Sequence, residues 1–256
     1  MQDSEYDTMR QVEDTFWWYL ALRKHVVSVL KNIADVKDQA AILDAGCGTG
    51  GMLQHLREAN PTWDLHGLDF SALALEHTKK RGFEHLILAS VDVIPCPEAC
   101  FDAVVSLDVL YHQAVDENKA MGEFFRILKP GGLLVLNLPA FDFLTGSHDV
   151  AVEGARRYTS SQMRKLLTDH GFVIEQLHYW NAWLFLPIMF WRLISRLFSS
   201  GHNPNSDLAH LPPIVNHALA LLTKMDITLS RLLHLPFGTS VFAVARKKFP
   251  DHPSHA

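Results

Sequence analysis

Asp44-Ala45-Gly46-Cys47-Gly48-Thr49-Gly50-Gly51 comes directly after the short apolar run Ala41-Ile42-Leu43. An apolar run that stops at glycines is typical of a buried parallel strand, and Met52–Ala59 behind the glycines is predicted to be a helix. Glycine allows a sharp turn between the two and lets a ligand approach the backbone where a Cβ would clash. The strand, turn and helix together predict a nucleotide-type binding loop.

The spacing of the glycines and the acidic residues around them narrow the ligand. The pattern is G-x-G-x-G, not the G-x-G-x-x-G of dinucleotide-binding folds. The carboxylate of Asp44 would repel a pyrophosphate on the helix N-terminus and instead suits a cationic group, such as the amino end of a methionine moiety. Asp69 ends the next predicted strand, where a carboxylate can accept both ribose hydroxyls. Asp92 follows the third strand, where it could meet an adenine amino group.

Strands and helices alternate along most of the chain. Further strands are predicted at 64–69, 85–90, 101–107, 133–138, 173–179 and 239–247. Helices are predicted near 14–33 and at 71–81, 116–128, 160–170, 183–198 and 214–233, with a turn at 129–132. This order implies an α/β fold, a doubly wound and mostly parallel sheet with helices on both faces.

Composition excludes several classes of protein. The 256 residues are 48% hydrophobic and carry a net charge of −5, which suits a globular fold and argues against a nucleic-acid partner. Cys47, Cys96 and Cys100 have neither a disulfide pattern nor zinc spacing, so we expect a reducing compartment and no metal. Residues 1–19 lack the pattern of a secretory signal. We therefore expect a cytoplasmic protein, with the inner face of the membrane as an alternative location.

Four segments in order carry a family resemblance. They are Ile42–Gly50, Gly67-Leu68-Asp69-Phe70-Ser71, Phe101–His112 and Ile127–Leu136. Together they resemble the ordered motifs of class I S-adenosylmethionine-dependent methyltransferases, over roughly residues 41–138. The resemblance implies a Rossmann-like sheet of seven strands, S-adenosylmethionine as the cofactor, and methyl transfer as the activity.

The same resemblance implies roles for individual residues. Asp44 and Gly46 would hold the methionine end, Asp69 the ribose and Asp92 the adenine edge. The residues expected to bind the cofactor are Trp18, Arg23, Asp44, Gly46, Cys47, Gly48, Asp69, Phe70, Asp92, Val93, Leu107 and Asp108. We divide the chain into an N-terminal aromatic helix or lid (1–36), a cofactor-binding α/β core (37–140), and an insert with apolar cap helices and closing strands (141–256).

Catalytic candidates follow the fourth strand and lie in the insert. Methyl transfer needs the nucleophile and the methyl group in line in a dry site, and a general base only for a nucleophile that is protonated at neutral pH. His112 is the candidate base, with a packing or capping histidine as the alternative. The family commonly reads Leu-Glu-His here, and Tyr111 replaces the Glu. Tyr111 and His148 are the other catalytic candidates.

Two further segments bear on the acceptor side. Phe16-Trp17-Trp18-Tyr19 cannot all face one core from a helix, and with Arg23 the segment resembles the aromatic opening of many bacterial members. That resemblance implies a lid, with Arg23 holding the methionine carboxylate; a plain packing helix is the alternative. Residues 147–159 resemble a His-Asp…Arg-Arg-Tyr stretch of a bacterial subgroup, in which Gly154 replaces a frequent His. His148, Arg157 and Tyr158 would face the acceptor, or Arg–Asp pairs would simply order the loop.

The stretch Tyr179–Arg192 is too aromatic and apolar for a solvated helix. Three explanations stay open: a cap that supplies a hydrophobic pocket, an interfacial helix with Arg192 and Arg196 facing anionic lipid, and a dimer interface. Residues 179–198 are thus the expected place of peripheral membrane contact or of a homodimer.

The predicted acceptor is an apolar small molecule or lipid-like compound, methylated on oxygen or carbon. Amine-methylating nucleic-acid enzymes of this fold commonly have Asn or Asp and two prolines after the fourth strand, where this chain has Leu107-Asp108-Val109-Leu110. The alternatives are a cofactor-binding isomerase or cyclase that transfers no methyl group, and a membrane-surface binding protein.

Overall fold

The computed structural model describes residues 3–32, 39–146, 149, 153–198 and 211–249. The helices are α1 (Asp3–Val12), α2 (Trp17–Asn32), α3 (Gly51–Ala59), α4 (Ala72–Lys80), α5 (Glu117–Ile127), α6 (Ser160–Asp169), α7 (Ala182–Phe198) and α8 (Pro213–Leu233). The strands are β1 (Ala41–Ala45), β2 (Asp64–Asp69), β3 (Leu86–Leu88), β4 (Phe101–Leu107), β5 (Leu128–Pro139), β6 (Phe172–Trp180) and β7 (Ser240–Lys247).

The seven strands form one sheet in the order β3-β2-β1-β4-β5-β7-β6. Strand β7 runs antiparallel to both of its neighbours, and the other pairs are parallel. The prediction of a doubly wound, mostly parallel seven-stranded sheet is therefore confirmed. The strand order reverses between β1 and β4, and such a switch point opens a crevice at the carboxyl ends of the strands.

Apolar side chains cover both faces of the central strands. Alternate residues point to opposite faces, so Ile42 packs with α2 and α3 whereas its neighbour Leu43 packs on the side of α5 and α6. Ile42 and Leu43 are both fully buried. Burying one such side chain contributes about 1.5–3 kcal/mol to the free energy of unfolding. This packing holds the carboxyl ends of β1 and β4 rigidly in place.

Side-chain caps define several predicted helix starts. Thr159 caps α6 in a reciprocal capping box with Gln162, as expected for Thr159 or Ser160. Ser71 caps α4 by accepting a hydrogen bond from the backbone N–H of Ala74 at 3.3 Å. Local sequence signals of this kind explain why most element boundaries agree with the prediction to within one or two residues.

Two features differ from the sequence prediction. Residues 129–132 were expected to be a turn, but β5 begins at Leu128, which pairs with Phe101 before the register shifts. The extra residues bulge out of a continuing strand, because the strand pairs on both sides of them. Helix α1 was not predicted: it is mostly polar, and Tyr6 and Val12 are among its few buried apolar side chains.

Among the described residues, no helix is long and apolar enough to cross a membrane. Helix α7 contains Pro187.

Candidate functional site

A cavity of about 470 Å³ lies at the carboxyl ends of β1, β2 and β4. Its volume is that of a small-molecule site. The sequence-predicted residues that line it are Trp18, Arg23, Asp44, Gly46, Cys47, Gly48, Asp69, Phe70, Leu107, Asp108, Tyr111 and His112. His148 lies outside the described residues. The switch point of the sheet thus gathers twelve of the predicted positions around one cavity.

Asp44 presents a buried carboxylate to this cavity from the end of β1. The residue is 2% exposed, and its Oδ2 accepts no hydrogen bond within the part of the chain that the structure describes. Burial raises the pKa of Asp44 to about 7, although the nearby guanidinium of Arg23 opposes that rise. A buried carboxylate oxygen without a donor fits a ligand that brings its own cation, such as an ammonium group.

The glycine loop brings the backbone close to two neighbouring side chains. Gly46 and Gly48 have φ angles of +87° and +52°, which favour glycine. A Cβ on Gly46 would overlap Val109, and one on Gly48 would lie 2.8 Å from Cε of Met9 in α1. The loop therefore lies directly between the fourth-strand loop and α1, and any ligand there contacts the backbone closely.

Asp69 holds the end of β2 against the same loop. Its carboxylate accepts hydrogen bonds from the backbone N–H groups of Gly48 and Ser71, each at 2.9 Å. The hydroxyl of Tyr6 donates to it at 3.4 Å. Burial raises the pKa of Asp69, and these hydrogen bonds oppose the rise. The Tyr6 hydroxyl occupies the kind of donor position that a ribose hydroxyl would take.

Helix α1 is fastened over the loop by a buried ionic cluster around Glu13. The Glu13 carboxylate accepts hydrogen bonds from Arg23 and Thr49, and from Nη2 of Arg81 at 2.6 Å. Nη1 of Arg23 also donates to the carbonyl of Glu13 at 2.8 Å. Arg23 lines the cavity as expected, but its guanidinium is bonded to Glu13, so the predicted contact with a methionine carboxylate needs a change of partner.

Asp108, which lines the cavity, begins a series of hydrogen bonds that crosses the sheet. Nδ2 of Asn137 lies 3.0 Å from each carboxylate oxygen of Asp108, and Nε1 of Trp180 donates to Oδ1 of Asn137 at 2.8 Å. Burial raises the pKa of Asp108 to about 7. Trp180 in turn stacks on Trp18 of α2, with ring centroids 5.7 Å apart. The series links Asp108 to the N-terminal aromatic segment.

The aromatic segment at the start of α2 packs against the two apolar helices α7 and α8. Trp17 contacts Trp183 at 5.9 Å between ring centroids, and its backbone N–H donates to Oδ1 of Asn216 at 2.7 Å. Phe16, Trp17, Trp18 and Tyr19 all line the cavity. The segment therefore both covers the cavity and packs against α7 and α8.

Tyr111 and His112 lie side by side after β4, with ring centroids 4.4 Å apart. Tyr111 is buried, which raises the pKa of its hydroxyl well above the ordinary value, so it is neutral near pH 7. A Cβ on Gly154 would lie only 2.8 Å from Cε2 of Tyr111. The two departures from the family pattern, Tyr for Glu and Gly for His, are thus in direct contact.

The insert contributes an ion pair to the wall. Nε and Nη2 of Arg157 donate to Oδ1 and Oδ2 of Asp149, each at 3.0 Å, and both residues line the cavity. The Arg–Asp pair that was expected as the structural alternative for this loop is therefore present. Tyr158 does not line the cavity; its hydroxyl donates to Glu117 and to the carbonyl of Leu110.

Asp92 and Val93 lie away from the cavity wall. Oδ2 of Asp92 accepts from the backbone N–H of Asp116 at 3.2 Å, and Val93 is 70% exposed. Neither residue is among those that line the cavity. Their role at an adenine edge stays a prediction, in a position beyond the rim.

Several lining residues were missed from the sequence. Tyr6 and Met9 belong to the unpredicted α1 and Glu13 follows directly after it; their contacts to the loop join distant parts of the chain. The segment at the start of α7 lines the cavity with Asn181, Leu184, Ile188 and Arg192. Their spacing of three and four residues is that of one helix face, and this periodicity was the signal available in the sequence.

Among the described residues, one group has the geometry to hold a metal ion, whereas no metal was expected from the sequence. The ligand atoms of Asp64, His66 and His85 lie within 4.8 Å of one another. Asp64 is the first residue of β2, so this group lies at the amino ends of the strands, opposite the cavity.

Comparison with known proteins identifies the domain around the loop. Residues 43–136 match the methyltransferase domain family. Demethylmenaquinone methyltransferase of Thermus thermophilus is 36% identical over 114 residues, which cover 42% of this chain and 51% of that protein. Malonyl-[acyl-carrier protein] O-methyltransferase of Enterobacter lignolyticus is 36% identical over 107 residues, 41% of each chain. The chain thus spans about half or less of these relatives.

The fold extends beyond the matched sequence. Phosphoethanolamine N-methyltransferase 2 of Haemonchus contortus, solved with S-adenosyl-L-methionine, aligns over 88% of this chain and 52% of its own, with a TM-score of 0.56 and 20% identity. At that identity the likeness establishes the fold. Residues 43–136 therefore form a methyltransferase domain, and the fold of an S-adenosyl-L-methionine-binding methyltransferase extends over most of the chain.

Proposed function

We propose that this chain transfers the methyl group of S-adenosylmethionine to oxygen or carbon of an apolar, lipid-like acceptor. One observation carries the proposal. The carboxylates of Asp44 and Asp69 end two neighbouring strands in a cavity whose remaining walls are largely aromatic and aliphatic. The polar end fits the cofactor, and the apolar walls fit the acceptor.

The polar end would hold the cofactor through three kinds of contact. Asp44 offers its unpartnered oxygen to the cofactor's ammonium group. Asp69 accepts the ribose hydroxyls once the Tyr6 hydroxyl has moved aside. The predicted adenine contact of Asp92 and Val93 requires the cofactor to reach past the present cavity rim. When bound, S-adenosylmethionine supplies an electrophilic methyl group on a positively charged sulfur.

The apolar walls would exclude water and hold the acceptor in line with that methyl group. Phe16 and Trp17 of the N-terminal segment and Leu184 and Ile188 of α7 are among the apolar residues that line the cavity. His112 lies where the sheet ends and would take the proton of a hydroxyl or an acidic C–H acceptor. Tyr111 would position His112 by ring contact.

The two relatives named above have acceptors other than nucleic acid. One acts on demethylmenaquinone and the other on the malonyl group of an acyl carrier protein, on oxygen. Each shares only the matched segment with this chain, so the acceptor remains part of our proposal.

Label transfer tests this function. The purified chain is incubated with methyl-labelled S-adenosylmethionine and a bacterial total lipid extract, and label is counted in the organic phase. We expect labelled lipid and S-adenosylhomocysteine in equal amounts, and much less of both with Asp69→Ala when the cofactor is below saturation. A changed lipid without S-adenosylhomocysteine would instead support the isomerase or cyclase alternative.

The expected contact of residues 179–198 with a membrane or a second copy of the chain belongs to this proposal. The side of α7 that lines the cavity is used by the site, so only its outer side is available for such a contact. The side chain of Arg196 lies outside the described residues. A cytoplasmic location, or one at the inner face of the membrane, stays a prediction.

A further inference from the structure

The exposed surfaces of α7 and α8 both carry large apolar side chains. Each of the following is more than half exposed: Leu186, Phe190 and Trp191 of α7, and Leu221, Met225 and Leu232 of α8. We call these six side chains the apolar face. Scattered apolar residues are normal on a surface, but a cluster on two adjacent helices marks an interaction site.

Both helices already pack on their inner sides. In α8 the residues Thr223, Ile227 and Ser230 are buried against the body of the protein. With a turn of roughly 100° per residue, Leu221, Met225 and Leu232 fall on the opposite side of that helix. In α7 the cavity takes Leu184 and Ile188, and Leu186 and Phe190 point the other way. Trp191, seven residues after Leu184, lies at the border between the cavity side and the outer side, where it is exposed. The apolar face is therefore additional to the core.

The charges around the apolar face indicate whether it binds a lipid bilayer or a second copy of the chain. Lys224 and Arg231 are exposed along one flank of α8. Asp226 is the one acidic residue in the described parts of both helices; it is 8% exposed and accepts the backbone N–H of Trp183 at 3.3 Å. The face is thus apolar and basic on a chain whose net charge is −5. Anionic lipid attracts such a surface, whereas an identical second copy would bring like charges together.

We infer that the apolar face docks on an anionic lipid bilayer and that the acceptor enters the cavity from that bilayer. Trp191 is 67% exposed, and tryptophan is favoured at the depth of the headgroups. The cavity lies across a single helix from the face, a distance of about 10 Å. The entry of the acceptor rests on the proposed function, whereas docking is a property of the surface alone.

Vesicle sedimentation without cofactor tests the docking. Wild-type protein should sediment with phosphatidylcholine vesicles that contain phosphatidylglycerol, and less so as salt rises. Phe190→Ser with Trp191→Ser should lower binding at least roughly tenfold. The matched controls Leu88→Ser and Val173→Ser remove exposed apolar residues of β3 and β6 and should bind as wild type. Lys224→Gln with Arg231→Gln should weaken binding to anionic vesicles.

Three outcomes would overturn the inference. Wild-type protein could stay in the supernatant with every vesicle, or the two control variants could lose as much binding as the α7 variant. Analytical ultracentrifugation could also reveal a dimer that Trp191→Ser dissociates, with no vesicle binding, which would make the face a homodimer interface. Vesicle binding without any methyl transfer would leave the docking intact and contradict only the proposed function.

Discussion

Buried carboxylates at the ends of β1 and β4 give the cavity a pH response. Asp44 and Asp108 are both raised in pKa to about 7 by burial, but their partners differ. The carboxylate of Asp108 accepts a hydrogen bond from Nδ2 of Asn137, whereas Oδ2 of Asp44 has no donor within the described residues. A bound ammonium group would thus be paired by Asp44, and only by its ionised form.

Cofactor affinity should therefore depend on pH through Asp44. Below pH about 7 the carboxyl is protonated and must lose its proton to pair with an ammonium, so the affinity should fall by up to about tenfold per pH unit. Calorimetric titration with S-adenosylmethionine on both sides of that pH measures this slope. Asp44→Asn should bind weakly with a much flatter profile, and Asp108→Asn should keep most of the slope. A flat wild-type profile would exclude ionised Asp44 as the partner.

The contact between Tyr111 and Gly154 predicts strong coupling between these positions. Gly154→Ala places a Cβ 2.8 Å from the Tyr111 ring, and we expect a loss of about 1–3 kcal/mol in the free energy of unfolding. With Tyr111→Ala already present, that loss should nearly disappear. Urea unfolding of the four proteins measures the cycle. Gly122→Ala, where a Cβ meets nothing within 4 Å, is the control; additive losses at 111 and 154 would disprove the contact.

At the scale of elements, α1 and the aromatic start of α2 close the cavity. Glu13 joins α1 to Thr49 of the loop and to Arg81 behind α4. The consecutive aromatics at residues 16–19 predicted more than one partner for this segment, and the family resemblance implied a lid, with a plain packing helix as the alternative. It could not predict α1 itself, because the helix is held by an ion cluster between segments far apart in the sequence. Local periodicity carries no signal for such contacts.

Glu13→Gln should loosen this closure. Without the Glu13 charge, Asp14 is the carboxylate that remains beside the guanidinium groups of Arg23 and Arg81. We therefore expect the free energy of unfolding to fall by roughly 2–4 kcal/mol. Proteolysis within residues 3–32 should also become faster. Glu58→Gln on the exposed side of α3 is the control and should change little. Equal stability of both variants would mean that the Glu13 cluster does not fasten α1.

At the scale of the whole molecule, the sequence predicted the elements better than their connections. Strand and helix positions follow from periodicity, caps and glycines, so β2 and β4 were located to the residue. The bulge within β5 was missed, because a Lys-Pro-Gly-Gly segment has the same composition whether it ends a strand or bulges from it. Asp44 and Asp69 were identifiable because strand ends meet at one edge, whereas Tyr6, Glu13 and Asn137 depend on tertiary contacts.

The position of the apolar helices was the least predictable feature of the molecule. The sequence indicated that Tyr179–Arg192 is too aromatic and apolar for a solvated helix, and three explanations for its apolar surface stayed open. In the structure α7 has a cavity side and an outer side, so a cap and a docking surface are compatible on a single helix. This arrangement places the acceptor side of the cavity next to the surface that we assign to lipid.

We expect the cofactor to bind at the carboxyl ends of the strands. Strand β2 allows a matched test, because it has an aspartate at each end. Calorimetry would compare S-adenosylmethionine binding to the wild type, to Asp69→Ala at the carboxyl end of this strand, and to Asp64→Ala at its first residue. We predict wild-type affinity for Asp64→Ala and a loss for Asp69→Ala of roughly 1.5–3 kcal/mol per hydrogen bond removed. Asp69→Asn serves the same purpose if the alanine variant does not fold. Unchanged affinity in a folded Asp69 variant would contradict the account.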